Sequence, residues 1–162
     1  KLQLSETKTK AVYCKDDRRR GEFVNHSFDF LGFTFRPRSC QDARGKLFVG
    51  FNPAVSRKAQ KAIRTKIKQH PVIKSMYSIE IEDVAKAINP IVQGWINYFK
   101  VFRKSALLSV YNYINMKLMN WARRKYTSLK RSQRQATKWL KSIYLKSPSL
   151  FAHWREYKWE SE

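Results

Sequence analysis

Between Asp83 and Glu156 the chain carries fifteen lysines and arginines and not one acidic residue. A second acid-free stretch, between Asp42 and Glu80, holds nine: Arg44, Lys46, Arg57, Lys58, Lys61, Arg64, Lys66, Lys68 and Lys74. The acids are grouped, six at or before Asp42, three at Glu80, Glu82 and Asp83, and three at Glu156, Glu160 and Glu162. A solvated helix face ordinarily mixes signs, because opposite charges at i and i+4 support each other. That support is missing over most of this chain. With a formal net charge of +22 on 162 residues, the compact state repels itself. The fold must offset that repulsion by apolar burial, and the surface calls for a polyanion, for which nucleic acid is the first expectation.

Composition allows such a core. Hydrophobic residues make up 43% and aromatic residues 14% of the chain, which excludes a disordered basic tail. The length fits one domain, or one small domain with an appended piece. Cys14 and Cys40 are the only cysteines and form no CxxC pair, so the expectation is reduced thiols in a cytosolic protein. His26, His70 and His153 lie far apart and match no zinc spacing, so no metal site is expected. No apolar run approaches the roughly 20 residues that span a bilayer, and the residues from Lys1 to Leu4 run straight into polar sequence, unlike a signal peptide. The chain starts at Lys1, not Met, and is read as a piece of something longer or as processed.

Residues 1–51 read as strands. Ala11 to Cys14 is a short apolar run, and residues 15–27 form a polar loop. Phe28, Phe30, Phe33 and Phe35 crowd around Leu31-Gly32, and Arg36-Pro37-Arg38 ends the segment. Lys46 to Phe51 is a further strand, closed by Asn52-Pro53. The alternation slips at Leu31-Gly32, which predicts a bulge or a close backbone approach. After Pro53 the period turns helical. Ser56 is placed to cap a first helix with Ala59, Ala62, Ile63 and Ile67 inward, stopped at His70-Pro71. A second helix opens with Glu80, Glu82 and Asp83 and carries the stripe Val84, Ile88, Ile91, Trp95 and Phe99. Asn89-Pro90 either kinks it or begins a new helix with Asn89 as cap. Gly94 is expected to let it pack close to a neighbour. A third helix runs from about Ser105 to Ser128 with Leu107, Tyr111, Ile114, Leu118 and Trp121 inward. A fourth spans about Ser132 to Leu145 with Ala136, Trp139, Leu140 and Ile143 inward. The tail holds Leu150, Phe151, Trp154 and Trp159, too apolar to dangle, and is expected to dock. The layout is α+β and mainly α, a short β element followed by a helical bundle.

Several segments carry a family resemblance. Phe28-Asp29-Phe30-Leu31-Gly32-Phe33-Thr34-Phe35-Arg36-Pro37-Arg38 resembles the segment that closes the reverse-transcriptase domain in bacterial group II intron-encoded proteins. Asn89-Pro90-Ile91-Val92-Gln93-Gly94-Trp95-Ile96-Asn97-Tyr98-Phe99 resembles the hallmark of their maturase-specific domain, also called X or thumb. Lys8 to Cys14 looks like the late palm strand. Trp121-Ala122-Arg123-Arg124-Lys125-Tyr126 and Leu150-Phe151-Ala152-His153-Trp154 look like the end of the maturase domain. The resemblance runs in order from about Lys8 to Trp154. It implies that residues 1–52 are the last strands of a reverse-transcriptase palm and residues 53–162 the helical thumb. The implied parent is a reverse transcriptase and maturase with fingers and palm upstream. It would bind its own intron RNA, help that RNA fold for splicing, and copy it into DNA during mobility, with Mg²⁺ at the polymerase site. The implied partners are group II intron RNA, an RNA template–primer or RNA/DNA heteroduplex, and the upstream fingers and palm. No membrane is implied, and the implied location is the bacterial cytoplasm, in a ribonucleoprotein. The chain has no match to the catalytic Tyr-Ala-Asp-Asp motif and no Cys/His set of an HNH endonuclease, so no catalytic residue and no cofactor are expected within it. The alternative is a freestanding basic RNA-binding protein without a polymerase role. The ordered motifs argue against a ribosomal-type or chromatin-type basic protein.

The candidate RNA contacts follow from the basic faces. Arg57, Lys58, Lys61, Arg64, Lys66 and Lys68 form the first. Arg123, Arg124, Lys125, Lys130, Arg131, Arg134 and Lys138, with Lys141, form the second. Arg36 and Arg38 flank the aromatic segment, and Arg103 and Lys104 lie between the second and third helices. Cations at helical spacing can follow a phosphate backbone, and A-form RNA is recognised largely through phosphate and 2′-OH contacts. Arg123 and Arg124 are taken as contacts whose removal leaves stability nearly unchanged. Leu31-Gly32 resembles the primer-grip turn, where a residue without a side chain lets the backbone approach a nucleic-acid strand. Asp16-Asp17 mimics a polymerase metal pair, but two-metal chemistry needs carboxylates on a rigid hairpin with a third acid, and here the pair sits in a polar loop. Trp95, Trp121 and Trp139 are assigned to the core, and His153 to a structural role.

Overall fold

The computed structural model describes residues 5, 7, 9–21, 23–75 and 77–159. Lys8, Glu160 and Glu162, which the sequence reading uses, lie outside the described residues. The fold is α+β and mainly α, with a three-stranded antiparallel sheet followed by helices. It divides into two compact units, Lys1–Arg57 and Lys58–Glu162. Among the described residues, no helix is long and apolar enough to cross a membrane.

The first unit holds the sheet, in the order β1 (Phe28–Phe30), β2 (Phe33–Gln41), β3 (Leu47–Val55). Phe30 pairs with Phe33, so Leu31 and Gly32 alone connect β1 to β2. Both have positive φ, 47° and 81°. This is the torsion pattern of a type I′ hairpin loop, whose twist matches that of the strands it joins. The slip in the sequence pattern is therefore a hairpin loop rather than a bulge. Leu31 occupies a left-handed conformation that a branched side chain adopts at a cost. The Ser56 N–H donates to Gly32 O at 2.8 Å and helps hold the turn.

Three expectations for the sheet fail for separate reasons. Arg36-Pro37-Arg38 does not end its strand: β2 runs through it to Gln41, with Pro37 opposite Phe51 and beyond the residues that pair with β1. Ala11 to Cys14 joins no strand. Tyr13 N–H donates to Asn25 O, then Lys15 N–H donates back to Tyr13 O, a tight turn that ends any ladder. Asn52-Pro53 does not close β3, which continues to Val55 with Pro53 opposite Phe35. β3 is an edge strand, where a missing N–H is tolerated. The unit boundary accordingly falls after residue 57, five residues later than the boundary drawn from Asn52-Pro53.

The second unit is built from α1 (Arg57–Gln69), α2 (Pro71–Lys74), α3 (Ile81–Phe99), α4 (Leu108–Lys125) and α5 (Gln133–Lys146). Short 3₁₀ turns at Lys104–Leu107, Thr127–Leu129 and Ala152–Arg155 connect and close it. α4 lies at the centre and packs on α2 and α5. Its buried face is Val110, Tyr111, Ile114, Asn115, Leu118, Trp121 and Ala122. Ser132 caps α5, its Oγ accepting from Gln135 N–H at 3.2 Å. On α1 the buried positions are Ile63 and Ile67, and Ala62 is exposed.

Pro90 does not break α3, which runs unbroken from Ile81 to Phe99. A proline inside a helix removes one backbone bond and crowds the preceding turn. Here full burial of Ile88 and Val92 on either side holds the helix together. The inward stripe shifts at this point, with Val84 and Ile88 inward before the proline and Val92, Ile96 and Phe99 after it. Ile91 and Trp95, expected inward, are half-buried, as are Trp139 and Ile143. Gly94 is exposed, and a methyl group at its α-carbon would meet no atom within 4 Å. It mediates no close packing.

Asn89 caps nothing. Its amide reaches the closing segment instead, where Nδ2 donates to Leu150 O and Oδ1 accepts from Ala152 N–H, both at 2.9 Å. The segment that follows, Phe151 to Trp154, is buried, as its apolar character predicts. Trp154 Nε1–H donates to Asn115 Oδ1 at 2.9 Å. An indole can only donate, so the asparagine atom facing it is its oxygen. His153 Nε2 lies 2.8 Å from that oxygen and therefore carries the proton it donates. Lys100 Nζ donates to Glu156 Oε1 at 2.8 Å, holding that carboxyl below its usual range and tying the tail to the end of α3.

Two predictions follow from this packing. Gly94→Ala should raise stability by about 0.5–1 kcal/mol, since it removes backbone freedom from the unfolded chain and meets open space in the fold. An unchanged or lower melting temperature would show that Gly94 is constrained. Burial holds His153 neutral, with its pKa pushed from 6.5 down to about 3. The unfolded chain takes up that proton near pH 6.5 and the folded chain does not. Stability is therefore full above pH 6.5 and falls as pH drops toward 3. Urea midpoints at pH 7 and pH 5 should differ by about 2 kcal/mol in stability, and His153→Gln should remove most of the difference.

Candidate nucleic-acid interface

α1 places its cations by the same period that buries Ile63 and Ile67. Arg57, Lys58, Lys61, Lys66 and Lys68 are exposed around the rest of its circumference. Lys66 and Lys68 lie in its last turn, where cations suit the helix dipole. Arg64 differs. It is half-buried, its guanidinium carbon lies 5.8 Å from the Tyr113 ring centre, and Nη2 donates to Gln60 Oε1 at 3.5 Å.

The second basic face separates into two kinds of residue. Lys130, Arg131, Arg134 and Lys138 are exposed along the α4–α5 connection and α5. Like charges four apart on a helix repel. Among the described residues, none of Lys58, Lys61, Lys66, Lys68, Lys130, Arg131, Arg134 and Lys138 has a partner in an ion pair. Arg123, Arg124 and Lys125 are engaged within the protein. Arg123 donates from Nη2 to Lys130 O and from Nη1 to Gln133 Oε1, both at 3.1 Å, bracing the connection that displays Lys130 and Arg131. Arg124 donates from Nε to Asn120 O at 3.2 Å and from Nη2 to Ile73 O at 2.9 Å. Its guanidinium lies over the Tyr77 ring, 4.8 Å from the ring centre. Lys125 donates to Ile79 O and to Glu80 Oε1, the latter at 2.7 Å. Burial works against its charge, yet the bond to Glu80 leaves its pKa above the ordinary lysine value. Arg103 and Lys104 are exposed where the chain leaves α3.

A groove of about 660 Å³ opens beside the C-terminal half of α4, lined by Tyr77, Lys117, Asn120 and Thr127 together with Arg123, Arg124 and Lys130. Tyr77, Lys117 and Asn120 do not figure in the sequence reading. Lys117 and Asn120 stand one turn apart on α4, but Tyr77 comes from the loop before α3, and no spacing in the chain marks it as their neighbour.

In the first unit, Arg36 is exposed on β2. Arg38 is bound to the sheet, with Nε donating to Asn52 O at 3.1 Å and Nη2 to Thr34 O at 3.2 Å. The hairpin tip is open, with Leu31 67% exposed and Gly32 half-buried. Asp16 and Asp17 are committed to backbone groups. Asp16 Oδ1 accepts from the Arg18 and Arg19 N–H groups at 3.0 Å, and Asp17 Oδ1 accepts from Val49 N–H at 2.8 Å on the edge strand. Among the described residues, no three His, Cys, Asp or Glu side chains converge on a metal-sized site.

Residues 60–139 match the family model of the group II intron, maturase-specific domain. The match supports a group II intron maturase. It spans α1 from Gln60 to Trp139 of α5, just under half of the chain, and includes α4 and the groove. No curated protein and no solved structure gives a match.

The cations bonded within the protein generate a stability prediction opposite to the one drawn from charge alone. Arg124→Ala and Lys125→Ala each strand a carbonyl that now accepts from a charged donor, and each should cost about 1–3 kcal/mol. Arg134→Ala and Lys138→Ala should stay within about 0.5 kcal/mol of the parent chain. Thermal melts of the four single variants check this. A melting temperature unmoved by Arg124→Ala and Lys125→Ala would show that these bonds do not stabilise the fold.

Proposed function

We propose that this chain is an RNA-binding maturase module of a group II intron reverse transcriptase, which holds intron RNA during splicing and the template–primer during reverse transcription. One observation carries the reading: the maturase-specific match includes Lys61, Lys66, Lys68, Lys130, Arg131, Arg134 and Lys138, which among the described residues have no ion-pair partner. Such cations, presented at helical intervals, neutralise RNA phosphates and release the counterions held there. On this reading Arg57, Lys58, Lys61, Lys66 and Lys68 form one phosphate-binding face. Lys130, Arg131, Arg134 and Lys138 form a second, and Arg103 and Lys104 add to them. Arg123, Arg124 and Lys125 act mainly by positioning those neighbours. In A-form RNA the bases of a paired stem are hard to reach, so contacts of this kind read shape and backbone more than sequence.

The finer part of the proposal concerns the first unit. We infer that residues 1–52 are closing strands of a reverse-transcriptase palm, with Leu31-Gly32 as a primer-grip-like turn and Arg36 beside it. Support comes from a short, rigid hairpin that exposes its two-residue tip, where backbone can approach a strand end. The Mg²⁺ of such a polymerase would be held by the parent's catalytic carboxylates. Asp16 and Asp17 do not fit that role, since both are occupied with backbone N–H groups.

Titration with structured group II intron RNA at increasing salt tests the proposal. Binding should weaken steeply, with a log–log slope of about −0.7 to −0.9 per phosphate contacted. The quadruple variant Lys130→Ala, Arg131→Ala, Arg134→Ala, Lys138→Ala should keep its melting temperature and flatten the slope by about one unit per lost contact. A slope near zero for the parent chain would mean that the charge serves another purpose.

A further inference from the structure

We propose that the groove beside the C-terminal half of α4 takes a single unstacked RNA nucleotide, from a bulge or loop. The inference rests on the RNA-binding reading above and adds a site to it. The groove's volume of about 660 Å³ lies within the range of sites that enclose a small organic ligand, roughly 300–1,000 Å³. A phosphate alone would leave most of it unfilled.

Its walls separate into groups already used and groups still available. Both terminal nitrogens of Arg123 are bonded within the protein, and Arg124 uses Nε and Nη2 on backbone carbonyls. What Arg124 still offers is Nη1 and the plane of its guanidinium, which lies over the Tyr77 ring. Unpaired bases stack on aromatic rings and on arginine planes. Among the described residues, the Asn120 amide, the Thr127 hydroxyl and the Lys130 ammonium have no hydrogen-bond partner in the protein. The Lys117 ammonium rests only against the Tyr113 ring, at 5.2 Å. An amide offers a paired donor and acceptor suited to a base edge, a hydroxyl suits a ribose, and two ammonium groups suit a phosphate. Among the described residues, no carboxylate lines the groove, which disfavours a cationic ligand. A base inside a duplex presents neither a free face nor a free pairing edge, so the nucleotide must be unstacked.

The test uses two RNA hairpins that differ only by one bulged adenosine in the stem, titrated into the full chain at two salt concentrations. The bulged hairpin should bind about tenfold more tightly than the fully paired one. Tyr77→Leu removes the ring but keeps apolar bulk, and Asn120→Ala removes an amide that the fold does not use. Each should bring the ratio close to one and leave affinity for the paired hairpin within about twofold, because the basic faces are intact. Thermal melts of both variants check that they are folded. Equal binding of the two hairpins by the parent chain would overturn the groove proposal and leave the RNA-binding reading standing. A preference that survives both substitutions would likewise overturn it. Absence of salt-dependent binding to either hairpin would overturn the RNA-binding reading and the groove with it.

Discussion

Two asparagines, Asn115 buried and Asn89 half-buried, hold the second unit closed. Asn89 grips the backbone on both sides of Phe151, and Asn115 receives the Trp154 indole and the His153 imidazole on one oxygen. These bonds bring a closing segment into the core whose aromatic side chains would otherwise lie in water. With Phe151 and Trp154 in place, α3 and α4 gain the burial that a chain of net charge +22 needs to stay compact. The arrangement has an acid-sensitive point, since the histidine fits only as the neutral ring.

The cations divide by what surrounds them, and the division is what makes a basic surface usable. At the end of α4, Arg123, Arg124 and Lys125 meet carbonyls left over by short turns and loops, and they satisfy them. Their charge is thereby fixed in position. Lys130, Arg131, Arg134 and Lys138 meet no such acceptors and keep their charge for a partner. On the proposed reading, the phosphate-binding face is stiff at its base and unpaired at its surface. Preorganisation of that sort lowers the ordering cost of binding. The same bracing shapes the groove, because both terminal nitrogens of Arg123 and two nitrogens of Arg124 are held by the protein.

Much of the architecture is legible in the residue pattern. Aromatic crowding with Gly and Pro at the ends marked the strands, and apolar residues at intervals of three and four marked the helices. Trp121 on the inward stripe of α4 is fully buried, as its spacing requires. The closing segment docks because four bulky apolar residues in a short tail have no better place. Where the reading failed, the cause was a partner distant in sequence or a single local bond. Pro90 left the helix whole because packing outweighed one lost backbone bond. Asn89 and Gly94 had local readings, as cap and as close contact, that nothing nearby in the chain could correct.

Sequence alone determined that this chain is basic and mainly helical after a short sheet, because charge sum and apolar period are properties of the chain itself. Tertiary structure alone decided which cations are bonded within the protein. Arg124 and Arg134 look alike in the sequence and both are exposed, yet Arg124 donates to Ile73 O across 51 positions of the chain and Arg134 makes no such bond among the described residues. The groove of Tyr77, Lys117 and Asn120 belongs to the same class of fact, since it exists only where α4 passes the loop before α3. The physical reason is common to both. A guanidinium or an amide takes its role from the acceptors within about 3 Å, and those are set by how the helices pack.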